Sequence, residues 1–174
     1  MGPAVLTGFT SLVLIAQATA AGTPRTLVAR VERVTDGDSV IAVTDNHTKL
    51  RIRLLGIDAP ELSHNGRPGQ PYADEARDYL DHLIGGKTIQ VDAYGRDQYN
   101  RVLGVLWDEQ LNVNLLMVAM GYAEIYRGAP CLVQCRELVT AETKARQDRV
   151  GMWAQGATYE SPAVFRRRRR IQGE

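Results

Sequence analysis

The chain has 174 residues, 44% of them apolar and 24% charged, which suits one globular domain with short extras at its ends. Its formal net charge is +1, from 21 basic and 20 acidic residues, and setting aside the five arginines at 166–170 together with Glu174 leaves the remainder at −3. A body of that sign excludes long-range capture of a polyanion by overall charge, so any such binding has to rest on a local basic strip.

In chain order, Met1 to Gly22 carries no charge and has an apolar centre, Ser11-Leu12-Val13-Leu14-Ile15-Ala16, followed by small residues at Ala18-Thr19-Ala20-Ala21. That is the apolar stretch and A-x-A pattern of a signal peptide, with cleavage expected after Ala20. No basic residue precedes the stretch and the first charges, Arg25, Arg30 and Arg33, follow it, so an uncleaved N-terminal membrane anchor is the second reading. The first reading places the rest of the chain in a secreted, periplasmic or extracellular setting. The second brings it into contact with a membrane.

Residues 27–34 alternate imperfectly and read as a strand, with Val31 and Arg33 on one face and Val28, Arg30 and Glu32 on the other. Asp36-Gly37 is a turn, residues 39–44 a second strand, and Asp45-Asn46-His47 another turn. Alternation is clean over residues 49–54: Lys49, Arg51 and Arg53 face one way, Leu50, Ile52 and Leu54 the other. Three cations on one face make either a solvated surface or a phosphate-binding floor. Residues 66–71 hold two glycines and two prolines and form a loop. Helical spacing of Ala73, Ala76, Leu80, Leu83 and Ile84 predicts a helix over 72–84, stopped by Gly85-Gly86. Strands follow at 88–91 and 102–107, then a helix at 112–120 ended by Gly121, and a last helix carrying Leu132, Leu138, Ala141, Ala145 and Val150 on its apolar side. Residues 161–174 read as a disordered arginine-rich tail, either a solvated appendage or a contact for phosphate or a membrane surface. Five strands and three helices suit an α+β domain over residues 25–160: a five-stranded Greek-key OB barrel capped by helices, an architecture that commonly hosts nucleic acid.

The chemistry concentrates in three short segments, Asp36-Gly37-Asp38, Arg53 through Glu61 (RLLGIDAPE), and Asp97-Gln98-Tyr99-Asn100-Arg101. Clustered carboxylates hold a hard cation such as Ca²⁺ or Mg²⁺. Two arginines beside such a cation neutralise a phosphodiester that gains charge in its transition state. Competing patterns fail. Gly86-Lys87-Thr88 lacks the upstream glycine of a phosphate-binding loop, since that position is Asp81. The twelfth position of an EF-hand starting at Asp36 would be His47 instead of glutamate. His47, His64 and His82 lack metal-ligand spacing. Cys131 and Cys135 are the only cysteines, four residues apart; in an exported chain they are a candidate short disulfide, and in a reducing setting two buried thiols.

These segments, in this order and followed by Arg149-Val150-Gly151-Met152-Trp153, resemble the staphylococcal nuclease (thermonuclease) family over residues 27–153. The resemblance implies the OB-type barrel and a secreted Ca²⁺-dependent nuclease that cleaves both DNA and RNA and leaves 3′-phosphates. Separately from it, no stable protein partner and a monomer are expected. The resemblance also implies Asp38, Asp58 and the main-chain carbonyl of Ala59 as Ca²⁺ ligands, with Asp36 holding a ligand or a metal-bound water. Glu61 becomes the residue that takes a proton from the attacking water or orients it. Arg53 bridges phosphate and metal site, and Arg101 assists the leaving group, each through a bidentate fork that lysine lacks. Tyr99 matches a tyrosine that contacts a terminal phosphate, although the neighbouring lysine of the type enzyme is Gln98 here. Tyr126, or Tyr122, falls near tyrosines that flank the base; either could stack on a base or belong to the core. A second function also stands, a non-catalytic OB-type nucleic-acid-binding module, against which the joint presence of Asp38, Arg53, Asp58, Glu61 and Arg101 argues.

Overall fold

The computed structural model describes residues 23–129, 131–171 and 173. The segment read as a signal peptide or anchor, residues 1–22, lies outside the described residues. Among the described residues no helix is long and apolar enough to cross a membrane.

Five strands form the barrel: β1 (Arg25–Asp36), β2 (Ser39–Thr44), β3 (Lys49–Leu54), β5 (Thr88–Arg96) and β6 (Val102–Asp108). They pair in the order β3-β2-β1-β5-β6, and a parallel ladder of Ile52, Arg53 and Leu54 against Val102, Leu103 and Gly104 closes β3 onto β6. A two-residue strand β4 (Ile57–Asp58) pairs apart from the barrel with β8 (Glu124–Ile125), and β7 (Leu111–Asn112) extends the edge at β6. The imperfect alternation of β1 has a cause. Its register against β2 slips between Val31 and Arg33 and again between Val34 and Asp36, so Ala29, Val31 and Val34 all point into the core. In β3 the alternation holds without a slip, and Leu50, Ile52 and Leu54 are buried.

Helix α1 (Ala73–Ile84) buries Ala73, Ala76, Leu80 and Ile84, the stripe expected of one face. Helix α2 (Val113–Ala119) begins at Asn112, whose side chain accepts from the Leu115 amide at 2.9 Å. Helix α3 (Cys135–Asp148) is shorter at both ends than the sequence suggests, because Gln134 and Arg149 adopt left-handed backbone angles at its two ends. A 3₁₀ segment (Gly151–Thr158) follows.

The expected disordered tail is corrected by helix α4 (Pro162–Ile171). Ser161 precedes Pro162 at the first helical position, and the Val164 amide donates to Ser161 Oγ at 3.3 Å. Phe165 is buried and Arg168 pairs with Glu160 at 3.0 Å, so an apolar anchor and ion pairing dock the helix. The described residues thus hold four α-helices and a 3₁₀ segment where three helices are expected from the sequence.

Candidate active site

The turn between β1 and β2 brings in the first carboxylates. A Cβ at Gly37 would lie 2.8 Å from the Cβ atoms of both Ala59 and Ala76, so glycine lets this turn press against the β4 segment and helix α1. Asp38 is then fixed on both sides, accepting from Ser39 Oγ and from the Ala59 amide, each at 2.9 Å. Asp58 does not extend a barrel strand. The chain leaves β3 at Leu54 and reverses at Gly56, whose φ of +82° favours glycine, before Asp58 enters β4. Buried Asn114 holds that reversal, donating to the carbonyls of Leu55 and Gly104 and accepting from the Leu106 amide at 3.0 Å.

Arg53 is the hinge of the charge cluster. Its Nη2 lies 2.9 Å from Asp38 Oδ2 and 2.9 Å from Asp58 Oδ1, while Nη1 donates to the carbonyls of Leu54 and Ile57. Glu61 stands beside them, its amide held by Gln70 Oε1 at 2.9 Å. Gln70 Nε2 in turn donates to the Glu160 carbonyl at 2.9 Å, coupling the Glu61 turn to the start of α4.

A residue outside the sequence reading completes the group. Arg166, on α4, donates from Nη2 to Asp58 Oδ2 at 2.7 Å and from Nη1 to Asp58 Oδ1 at 3.0 Å, and it also pairs with Glu61. Burial works against its charge, but the hydrogen bonds to Asp58 and Glu61 outweigh that and hold its pKa above the usual guanidinium value. Even with two guanidiniums present, negative charge is in excess. The Asp36 carboxyl is pushed up to about 7, by burial first and then by the charges of Asp38 and Glu61.

A cavity of about 590 Å³ gathers Asp36, Asp38, Arg53, Glu61 and Arg101 along one wall system. Tyr99, Tyr126, Cys131 and Arg166 line it as well. Asp58 and Ala59 lie beneath this lining, both almost fully buried, with Arg53 and Arg166 over Asp58. Arg101 is tethered by its neighbour Asp97, which accepts from Arg101 Nε at 2.7 Å and from its amide at 2.9 Å, and its guanidinium carbon sits 5.5 Å from the Tyr99 ring centre. The two candidate base-flanking tyrosines part ways: Tyr126 reaches the cavity, whereas Tyr122 packs on Tyr79 at 4.7 Å between ring centres, against the core. Cys131 and Cys135 are bonded, with Cα atoms 5.8 Å apart, at the cavity edge before α3. His47, His64 and His82 are all exposed.

Three contributors escaped the sequence reading: Arg166, Asn114 and Gln70. Only the first left a readable signal, the Ser161-Pro162 helix start that would have turned the tail from coil into a helix with a defined face.

The fold and cavity define a barrel with an acidic pair clasped by arginine, and comparison with known proteins gives the class a name. A family model described as staphylococcal nuclease homologue matches residues 51–155, more than half of the chain, and the chain belongs to that family. It is similar to a protein of Phaeosphaeria nodorum named as a probable endonuclease, LCL3, at 41% identity over 128 residues, covering 70% of this chain and 42% of that protein. A Leptosphaeria maculans protein of the same name is 42% identical over 61% of this chain and 38% of its own length. An uncharacterized endonuclease of Haemophilus influenzae is 31% identical over 93% of this chain and 85% of that protein. The chain therefore spans about two-fifths of the length of these two fungal relatives and most of the bacterial one.

Proposed function

We propose that the chain is a Ca²⁺-dependent endonuclease that hydrolyses the phosphodiester bonds of DNA and RNA, leaves 3′-phosphates and acts outside the cytosol. The observation that carries this is the clasp itself: Arg53 held between Asp38 and Asp58, with Glu61 and Arg101 on the same cavity. A binding module needs arginines for phosphate but has no use for buried carboxylates beneath them, since burying charge carries a desolvation cost even when it is paired. Relatives named as endonucleases support the same reading.

A cation fits the donor set. Asp38, Asp58 and the Ala59 carbonyl would hold it with Asp36 nearby, whose carboxyl is raised by burial first and then by the charges of Asp38 and Glu61. Among the described residues no three Asp, Glu, His or Cys side chains converge as a ready cage, so Asp38, Asp58 and one carbonyl would leave other coordination positions to water. When bound, Ca²⁺ supplies Lewis-acid stabilisation of the phosphate and of a water beside it. The rest belongs to the chain. Glu61 accepts or orients the proton of the attacking water, and Arg53 grips non-bridging oxygens as charge builds on them. Arg101 stabilises the departing 5′ oxygen, so the P–O5′ bond breaks and phosphate stays on the 3′ side. Arg166 occupies the Asp58 carboxylate, and it would have to release that carboxylate for Asp58 to hold a cation.

The test is substitution with product analysis. Glu61→Gln keeps the shape of the side chain and should lower kcat by about 10²–10⁴-fold, the contribution of a positioned base. Arg53→Lys keeps the charge but loses the fork, and should be badly impaired on kcat as well. Wild-type rates in Glu61→Gln, or 5′-phosphate products from the unaltered chain, would refute the mechanism. Export is read from the apolar stretch and small residues within 1–22: the mature N-terminus should be Ala21 or a near neighbour by mass spectrometry, and intact Met1 in a membrane fraction would contradict it.

A further inference from the structure

Beside the acidic pair the barrel carries a second row of arginines. Across three strands, Arg33 on β1 pairs with Ile41 on β2, and Ile41 pairs with Arg51 on β3. Directly opposed residues on neighbouring strands point to the same face, so Arg33 and Arg51 stand on either side of Ile41. The neighbouring row on that face is Asp36, Ser39 and Arg53, which belongs to the candidate active site. Two residues along β3 separate Arg51 from Arg53, a step of about 6.8 Å at the usual rise of an antiparallel strand. That is close to the advance of one nucleotide along an extended strand.

Arg101 joins the second row from the other side. It immediately precedes β6, whose Val102 pairs in parallel with Ile52, so the chain enters that ladder next to Arg51. A cavity of about 330 Å³ brings Arg33, Ile41, Arg51 and Arg101 together, and it shares Asp36, Ser39 and Arg101 with the active-site cavity. The two cavities are thus continuous along one face. Pairing sharpens the case. On the same face of β3, Lys49 is held by Glu32 at 2.8 Å and Arg53 is committed to Asp38 and Asp58. Among the described residues neither Arg33 nor Arg51 has a carboxylate within ion-pair distance, and both are exposed. Two arginines flanking an isoleucine, neither of them ion-paired, repel one another, and a bridging anion relieves that.

We propose that Arg33 and Arg51 form a flanking subsite that binds the phosphate next to the scissile one in a nucleic-acid strand. The ligand is the phosphodiester backbone, common to DNA and RNA, held by guanidinium forks with Ile41 as apolar contact for the intervening sugar. This rests on the nuclease reading for the identity of the ligand, while the row and the cavity stand independently of catalysis. The site explains how a body with a net charge of −3 outside residues 166–174 can hold a polyanion: cations concentrate along the path instead of over the surface.

The experiment has a binding arm and a cleavage arm, both with the full chain and with Arg33→Ala/Arg51→Ala. In the binding arm, fluorescence anisotropy follows an oligothymidylate and an oligouridylate in chelator at a series of salt concentrations. Loss of this one phosphate contact should reduce the slope of log K against log salt by roughly 0.7, the value per phosphate for single strands. In the cleavage arm, kcat/KM for the long strand is divided by kcat/KM for a dinucleotide, which has no flanking phosphate. That ratio should fall at least about tenfold in the double variant, the order expected from losing about 1.4 kcal/mol of binding, through KM. An unchanged salt slope overturns the subsite, whatever the cleavage result. Should the wild type bind strands without cutting them, the nuclease reading fails and the salt slope alone still decides the subsite. A double variant that unfolds at the same urea concentration as wild type shows that the slope change is not a loss of fold.

Discussion

Gly37 shows how much of this site is decided by a single missing methyl group. Its hydrogen stands where a Cβ would meet Ala59 and Ala76 at 2.8 Å, so the Asp36-Gly37-Asp38 turn, helix α1 and the β4 segment approach one another only because that position is glycine. Gly37→Ala is expected to cost about 1–3 kcal/mol, the usual range for overpacking, read as a lower urea midpoint at constant slope. Because the displaced neighbours include Ala59, the same variant should require more Ca²⁺ for half-maximal cleavage. A variant with unchanged midpoint and unchanged Ca²⁺ requirement would show that the contact is slack. The carboxylates and arginines themselves were legible from the sequence, since Asp-Gly-Asp and RLLGIDAPE set charged residues at fixed short spacings around a turn. What the sequence withheld was Asn114. A buried asparagine on an apolar helix face reads as noise until its three hydrogen bonds to the β3 exit and to β6 are visible. Gln70 was hidden for the same reason, because its partners Glu61 and Glu160 lie 9 and 90 residues away along the chain.

Helix α4 is the element that the sequence disguised. Five consecutive arginines look like a solvated tail, and only Ser161-Pro162 and Phe165 betray a capped helix with one apolar anchor. Once folded, the helix presents Arg166 to Asp58 and Glu61 and Arg170 to the same cavity, one turn further on. A guanidinium there and the proposed Ca²⁺ would compete for one carboxylate. Arg166→Gln should therefore bind Ca²⁺ more tightly by calorimetry and reach half-maximal cleavage at a lower Ca²⁺ concentration than wild type. The opposite outcome, weaker Ca²⁺ binding with a collapsed kcat, would make Arg166 a phosphate ligand instead of a competitor. The element that leads to α4 is itself anchored: Tyr159 donates to the buried Glu124 carboxylate at 2.6 Å and stacks on Trp153, over which Arg146 lies at 3.9 Å. Tyr159→Phe leaves Glu124 without that donor and should lower stability by about 1–3 kcal/mol. An unchanged urea midpoint would mean that Arg127 and Arg146 satisfy Glu124 on their own.

At the scale of the whole molecule, the barrel was the most legible feature, because β3 announces itself by alternation, β2 by a β-rich run between two turn signals, and β1 alternates imperfectly only where its register slips. Closure of β3 onto β6 follows from no local pattern; it is a long-range parallel pairing of Ile52, Arg53 and Leu54 with Val102, Leu103 and Gly104, and it places Arg53 and Arg101 on one cavity. The molecule thus combines a slightly acidic body, an acidic pair under two arginines, and basic residues lined up along a single face. Metal dependence is where these parts meet. Fluorogenic DNA and RNA strands should be cut by the chain in Ca²⁺, cutting should stop on chelation and return when Ca²⁺ is restored, and Asp58→Asn should shift the Ca²⁺ titration sharply upward. Cleavage that persists unchanged in chelator, or binding of both strands with no Ca²⁺-dependent cutting of either, would contradict the account.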